Sequence, residues 1–233
     1  MKTATNSNTK KLAWLPDAIR EPLVLIRNNY RQAKARAALR RSLHSQTIKR
    51  IIVGASGTEF EGWIPTNQEI LNLLKEDDWV AYFKPGSLDA ILAEHVWEHL
   101  TPEDAVVAAK HCFKFLKPGG YLRVAVPDGL HPNPRYIEWV RPGGNGPGAD
   151  DHKILYTYDT FRKVFASAGF DISLCEYYDE HGEFHATDWN PADGMIRRSL
   201  RFDKITFDPG TSGRDFGFTS IILDARKPHS HKT

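Results

Sequence analysis

The chain is expected to fold as an α/β protein with a mostly parallel, doubly wound sheet. Three observations carry that expectation. Short apolar runs, such as KRIIVGASG (49–57) and LDAILA (88–93), read as buried strands. Segments of helical spacing alternate with them, and that alternation favours parallel strands joined by helices. Two long Pro/Gly-rich stretches, 128–156 and 179–215, follow predicted strands. Open α/β sheets place their ligand crevice there, so these loops are read as functional.

The elements follow in order. Residues 1–47 form a basic arm, with a polar, disordered start and then one or two helices. Pro16 and Pro22 suit helix starts. A domain spans 48–228 and a short tail 229–233. After the first strand comes GWIPTN, then LDAILA. In TPEDAVVAAKHCFKFL (101–116), Thr101 is the N-cap and Pro102 takes the first helical position. Val106, Ala109, Phe113 and Leu116 recur at helical spacing. KPGG (117–120) should stop this helix, with Gly119 or Gly120 left-handed. YLRVAVPD (121–128) reads as a strand, TYDTFRKVFASAGF (157–170) as a helix ending at Gly169, DISLCEYY (171–178) as a strand, and FGFTSIILDARKP (216–228) as the last.

With 233 residues, 41% of them hydrophobic, the chain can build one sizeable core. No secretory h-region opens it, and no apolar run approaches the roughly 18 residues that span a bilayer. A cytoplasmic location is expected, with access to the inner membrane face. Cys112 and Cys175 have no metal-ligand spacing and read as buried thiols. Charge is uneven: residues 1–50 hold 12 of the 31 Lys/Arg and only two of the 29 acids, Asp17 and Glu21. A basic arm on an acidic body suits anionic membranes, polyanions or docking on the body itself.

His95, Glu98 and His99 spell H-x-x-E-H, the zinc-ligand pattern of the inverzincin peptidases. That chemistry needs the motif on a helix. Here LDAILA reads as a strand ending at the motif, so Glu94 and His95 belong to its carboxyl edge and His99 to the helix that follows.

The order strand–GASG, GWIPTN, GSLDAILAEHVWEHL, FKFLKPGGYLRVAVPD resembles the class I S-adenosylmethionine-dependent methyltransferases. It is most similar to a small bacterial branch carrying H-V-x-E-H-L and then L-K-P-G-G. The resemblance covers residues 49–228. It implies a Rossmann-like sheet of seven strands with helices on both faces, and S-adenosylmethionine as cofactor. Gly54, Ala55, Ser56 and Gly57 would then form the turn beside the methionine moiety, with small residues and free N–H groups. Ala55 and Ser56 interrupt the family's alternate glycines. Asn67 and Asn72 stand where the family places acids for the ribose and near the adenine, with Glu69 a substitute. Ala93, Glu94 and His95 would line the cofactor and substrate cleft.

Methyl transfer to a hydroxyl needs a general base more than transfer to an amine or thiol does. His152 with Asp151 is the first choice, and His95 the second, since imidazole titrates near neutrality. No metal is assigned; Asp151, His181 and His185 are the side chains that could hold a divalent ion. The branch is associated with surface polysaccharide assembly. Tyr136, Trp139, Tyr156, Tyr158 and Trp189 would suit stacking on sugar rings, which makes a glycan hydroxyl the leading acceptor. The arm would then bring the enzyme to an anionic membrane. A fold that has lost catalysis and serves in binding is the alternative, supported by Asn67. A nucleic-acid methyltransferase is the third reading. The sequence has no N/D-P-P-Y/F/W motif and its body is acidic, so no nucleic-acid partner is expected.

Overall fold

The computed structural model describes residues 16–203 and 219–229. The chain divides into two units, Met1–Gln46 and Thr47–Thr233. The first unit holds one helix, α1 (Asp17–Ser45), with Pro16 at its N-cap and Pro22 inside it. Its first fifteen residues, and with them the expected disordered start, lie outside the described residues.

The second unit is a seven-stranded sheet. Its elements are β1 (Arg50–Val53), β2 (Ile64–Pro65), α2 (Glu76–Val80), β3 (Leu88–Glu94), α3 (Pro102–Phe115), β4 (Leu116–Val126), α4 (Pro134–Val140), α5 (Tyr158–Ser167), β5 (Asp171–Tyr178), β6 (Phe184–Ala186), α6 (Leu200–Asp203) and β7 (Ile221–Arg226). The strand order is β2-β1-β3-β4-β7-β5-β6. The first half is parallel, β2 through β4, and β7 then runs antiparallel to both β4 and β5. The expected mostly parallel sheet is found, with β7 and β6 reversed. Residues 216–218 of the expected last strand fall outside the described residues.

The apolar runs bury as their pattern requires. Ile51, Leu88, Ala90, Ile91 and Leu122 are wholly buried, since a strand covered on both faces has no polar side. Helix α3 presents Ala105, Ala108, Ala109, Cys112 and Phe115 to the interior. The Thr101 hydroxyl accepts from the Asp104 N–H at 3.2 Å, which caps it as expected. The helix ends at Phe115, before KPGG. Strand pairing with Leu88 already claims Leu116, and Gly119 takes its positive φ of 79° inside β4. Both cysteines are free and buried. The stretch 128–156 is not structureless: α4 lies within it, and the Asn133 side chain accepts from the Arg135 N–H.

Candidate functional site

Strands β1 and β3 stop side by side, and a cleft of about 660 Å³ is lined by the residues at and just beyond their carboxyl ends. Ile52, Val53 and Leu92 give it an apolar lining, continued by the turn Gly54, Ala55, Ser56 and Thr58. Gly54 holds φ +61°, and a Cβ there would lie 2.7 Å from Val96 Cγ2, so the site demands glycine. Three of its amides are spent on the turn itself and on the residues just after β2. Ala55 N donates to Thr66 O (2.9 Å), Ser56 N to Asn67 Oδ1 (2.8 Å) and Thr58 N to Ala55 O (2.7 Å).

Of the residues expected to hold the cofactor, Gly54, Ala55, Ser56, Glu94 and His95 line the cleft. Gly57, Asn67, Asn72 and Ala93 do not. The Asn67 carbonyl is committed to the Ser56 amide, so it braces the turn. Asn72 folds its own loop: its side chain accepts from Leu74 N at 2.9 Å. Ala93 is buried in the ladder opposite Val53 and Val124, and Glu69 is exposed outside the cleft.

The H-x-x-E-H residues sit on no α-helix. His95 leaves β3 with φ +56°, a left-handed conformation uncommon without glycine. Glu98 and His99 follow in a 3₁₀ turn, Trp97–His99. The bend brings His95 Nδ1 within 2.9 Å of Glu98 Oε1, while Nε2 lies 3.0 Å from Ser220 Oγ. Glu98 is only 1% exposed, and its second oxygen, Oε2, has no hydrogen-bond partner. Burial opposes its ionisation, but the adjacent His95, and beyond it His99, hold the carboxyl below its ordinary range.

His152 joins this wall from a different segment. It leaves the 3₁₀ turn Ala149–Asp151, which Gly148 enters at φ +84°. Its ring packs edge-on to that of His99, with centroids 4.8 Å apart. The expected dyad with Asp151 is not formed. Asp151 is largely exposed and pairs with Lys153 Nζ (3.0 Å) and His99 Nδ1 (3.5 Å). His152 Nδ1 instead meets the Val140 carbonyl at 2.6 Å. Burial lowers the His152 pKa, favouring the neutral ring.

Met195, Arg197 and Arg198 complete the lining, and sequence reasoning missed all three. Nothing periodic marks them; only their place in the 179–215 stretch pointed there. Arg198 N donates to Glu94 Oε1 at 2.8 Å, which ties this loop to the end of β3. Arg123 NH1 donates to Asn190 O and Gly194 O, both at 2.9 Å, and holds the loop from beneath.

His181 and His185 do not line the cleft. His185 pairs with Asp179 at 2.7 Å, and Asp179, Glu183 and His185 form a separate cluster. The aromatic expectation needs correction. None of Tyr136, Trp139, Tyr156, Tyr158 and Trp189 lines the cleft, and Tyr136, Tyr156 and Trp189 are core residues. The Tyr136 hydroxyl donates to Thr219 O and accepts from Asp128 N, while Trp189 Nε1 donates to buried Glu176.

Residues 65–124 match the family model described as "Methyltransferase domain", which spans β2 through most of β4. No curated protein matches the chain. Among solved structures, it is similar to a SAM-dependent methyltransferase from Archaeoglobus fulgidus, at 17% identity and TM-score 0.47, covering 88% of this chain and 99% of that one. A phosphoethanolamine N-methyltransferase 2 of Haemonchus contortus, in complex with S-adenosyl-L-methionine, gives 16% and 0.43, covering 84% of this chain and 53% of that one. An S-adenosylmethionine-dependent methyltransferase from Mesorhizobium loti gives 14% and 0.43, with coverages of 82% and 96%.

Proposed function

We propose that this methyltransferase, whose cofactor is S-adenosylmethionine, moves a methyl group onto a hydroxyl of a small polar acceptor, a glycan foremost. One observation carries the reading: a single cleft unites a glycine turn at the end of β1 with a wall of Glu98, His99 and His152. Its volume of about 660 Å³ falls within the usual range for cofactor and ligand sites. The residues present fit the cofactor in two respects. The obligatory glycine lets backbone approach the ligand, and the apolar Ile52, Val53 and Leu92 suit an adenosyl group. They differ from expectation in a third. The Ala55, Ser56 and Thr58 amides are already engaged, so Arg197 and Arg198 are the groups suited to a carboxylate.

When bound, the cofactor supplies a methyl on a sulfonium; the new O–C bond forms as the S–C bond breaks, and its electron pair stays on sulfur. The protein must orient the hydroxyl and take its proton. His152 suits this: its Nδ1–H donates to the Val140 carbonyl, which leaves Nε2 as the lone-pair atom. The wall is polar and charged, which favours a hydroxyl-bearing acceptor over a hydrophobic one. The basic arm would bring the protein to an anionic membrane carrying lipid-linked glycans.

Calorimetric titration of S-adenosylmethionine, followed by transfer of labelled methyl to carbohydrate, amine and thiol panels, tests the reading. Saturable cofactor binding with label on hydroxyls is expected. Label found only on amines or thiols would overturn the acceptor class. No binding at millimolar cofactor would leave the binding-protein alternative.

A further inference from the structure

We infer that Glu98, His99 and His152 form a binding site for one divalent transition-metal ion of the zinc, cobalt or iron(II) type, in the wall of the cleft. Ligating atoms of the three residues lie within 4.8 Å of one another. Zinc bonds of about 2.1 Å would draw them in by roughly an ångström, within the reach of small side-chain rotations.

The partners these residues lack carry the inference. Glu98 is 1% exposed; His95 Nδ1 lies 2.9 Å from its Oε1, and its Oε2 is left with no partner. A buried carboxylate left in that state is costly, and such groups are normally paired or bound to metal. His95 pairs with one oxygen alone, which leaves the second for an ion. His99 Nδ1 is likewise buried without a hydrogen bond; Asp151 lies 3.5 Å from it. His152 is held as metal-binding histidines usually are. Its Nδ1–H donates to a backbone carbonyl, which fixes the ring and leaves Nε2 free to ligate. Two imidazoles and one carboxylate suit borderline ions and leave coordination positions open. Magnesium, which demands an octahedron of oxygens, fits poorly.

This is not the peptidase arrangement that H-x-x-E-H suggests. The first histidine, His95, is turned toward Glu98 and Ser220 and is no member of the set. The third ligand comes instead from His152, beyond α4. The role of the ion, though not its site, rests on the methyltransferase reading: an open position there would hold the acceptor oxygen and lower its pKa, in place of proton removal by His152 Nε2, whose lone pair the ion would take.

Untagged, chelator-stripped full-length protein titrated with zinc, and separately with cobalt(II), tests the site by calorimetry and visible absorption. One equivalent is expected to bind, with cobalt d–d bands. His99→Gln and His152→Gln should each weaken binding at least ~100-fold, beyond the loss typical of outer-shell partners. Their melting temperature should stay close to wild type. His185→Gln, in the separate Asp179 cluster, should bind the ion normally. No bound ion in folded wild type overturns the inference, as does undiminished binding in both His variants. Ion binding without cofactor binding would sink the methyltransferase reading and leave this site standing.

Discussion

Asp128 is wholly buried just beyond β4, where its carboxylate accepts from Leu130 N at 2.9 Å and Tyr178 N at 2.7 Å. Burial outweighs those bonds and pushes its pKa up to about 6. The folded chain thus keeps a proton that the unfolded chain releases. This contribution to stability is full below the unfolded value of 3.8 and is lost as pH rises through about 6. His131 opposes it: burial drops its pKa to about 4, so its contribution grows as pH rises toward 6.5. Urea denaturation of wild type and Asp128→Asn separates the two. Wild type should lose about 2 kcal/mol relative to the variant from about pH 4.5 to about pH 7.5; a constant difference contradicts the assignment. At this scale the sequence was partly legible. It placed His95, Glu94 and His152 at the cleft, because strand ends and cleft-covering loops can be read from pattern. It could not tell that Asp151 turns outward to Lys153, or that Asn67 folds back onto Ser56. Those outcomes depend on local turns that spacing does not encode.

Strands β4 and β7 show how an element supports the site. Arg123 on β4 faces Asp224 on β7 across the antiparallel ladder, in a two-pronged pair of 2.7 and 2.9 Å. The guanidinium is 2% exposed and lies 4.8 Å from the centre of the Trp189 ring. Its remaining donors hold the carbonyls of Asn190 and Gly194. Replacing Arg123 with Met would strand Asp224 and release the loop that carries Arg197 and Arg198. Such losses run to about 3–5 kcal/mol. Chemical denaturation should show that drop, with weakened cofactor binding alongside it; a loss under about 1 kcal/mol would contradict the role given to the pair. Strand runs were legible because complete burial leaves an uninterrupted apolar string. The antiparallel course of β7 was not, since direction is set by pairing partners. The end of α3 was misplaced for the same reason: Leu116 is taken by β4 before the glycines arrive.

For the molecule as a whole, the separation of charge is the feature without a structural account inside the second unit. Helix α1 exposes Ile19, Leu23, Leu25, Ile26 and Tyr30 among its arginines. Among the described residues, no helix is long and apolar enough to cross a membrane. Surface attachment is the arrangement such a helix suits. Co-sedimentation with anionic vesicles should be lost when residues 1–45 are removed; equal binding by both forms removes the idea. The order β2-β1-β3-β4-β7-β5-β6 sets the carboxyl ends of β1 and β3 side by side, and the cleft is lined from there. Calorimetry of the full-length protein with S-adenosylmethionine is the most direct test of that cleft as a cofactor site. One saturable equivalent, displaced by S-adenosylhomocysteine, is expected; absence of any heat of binding at millimolar cofactor, in protein shown to be folded, would contradict it.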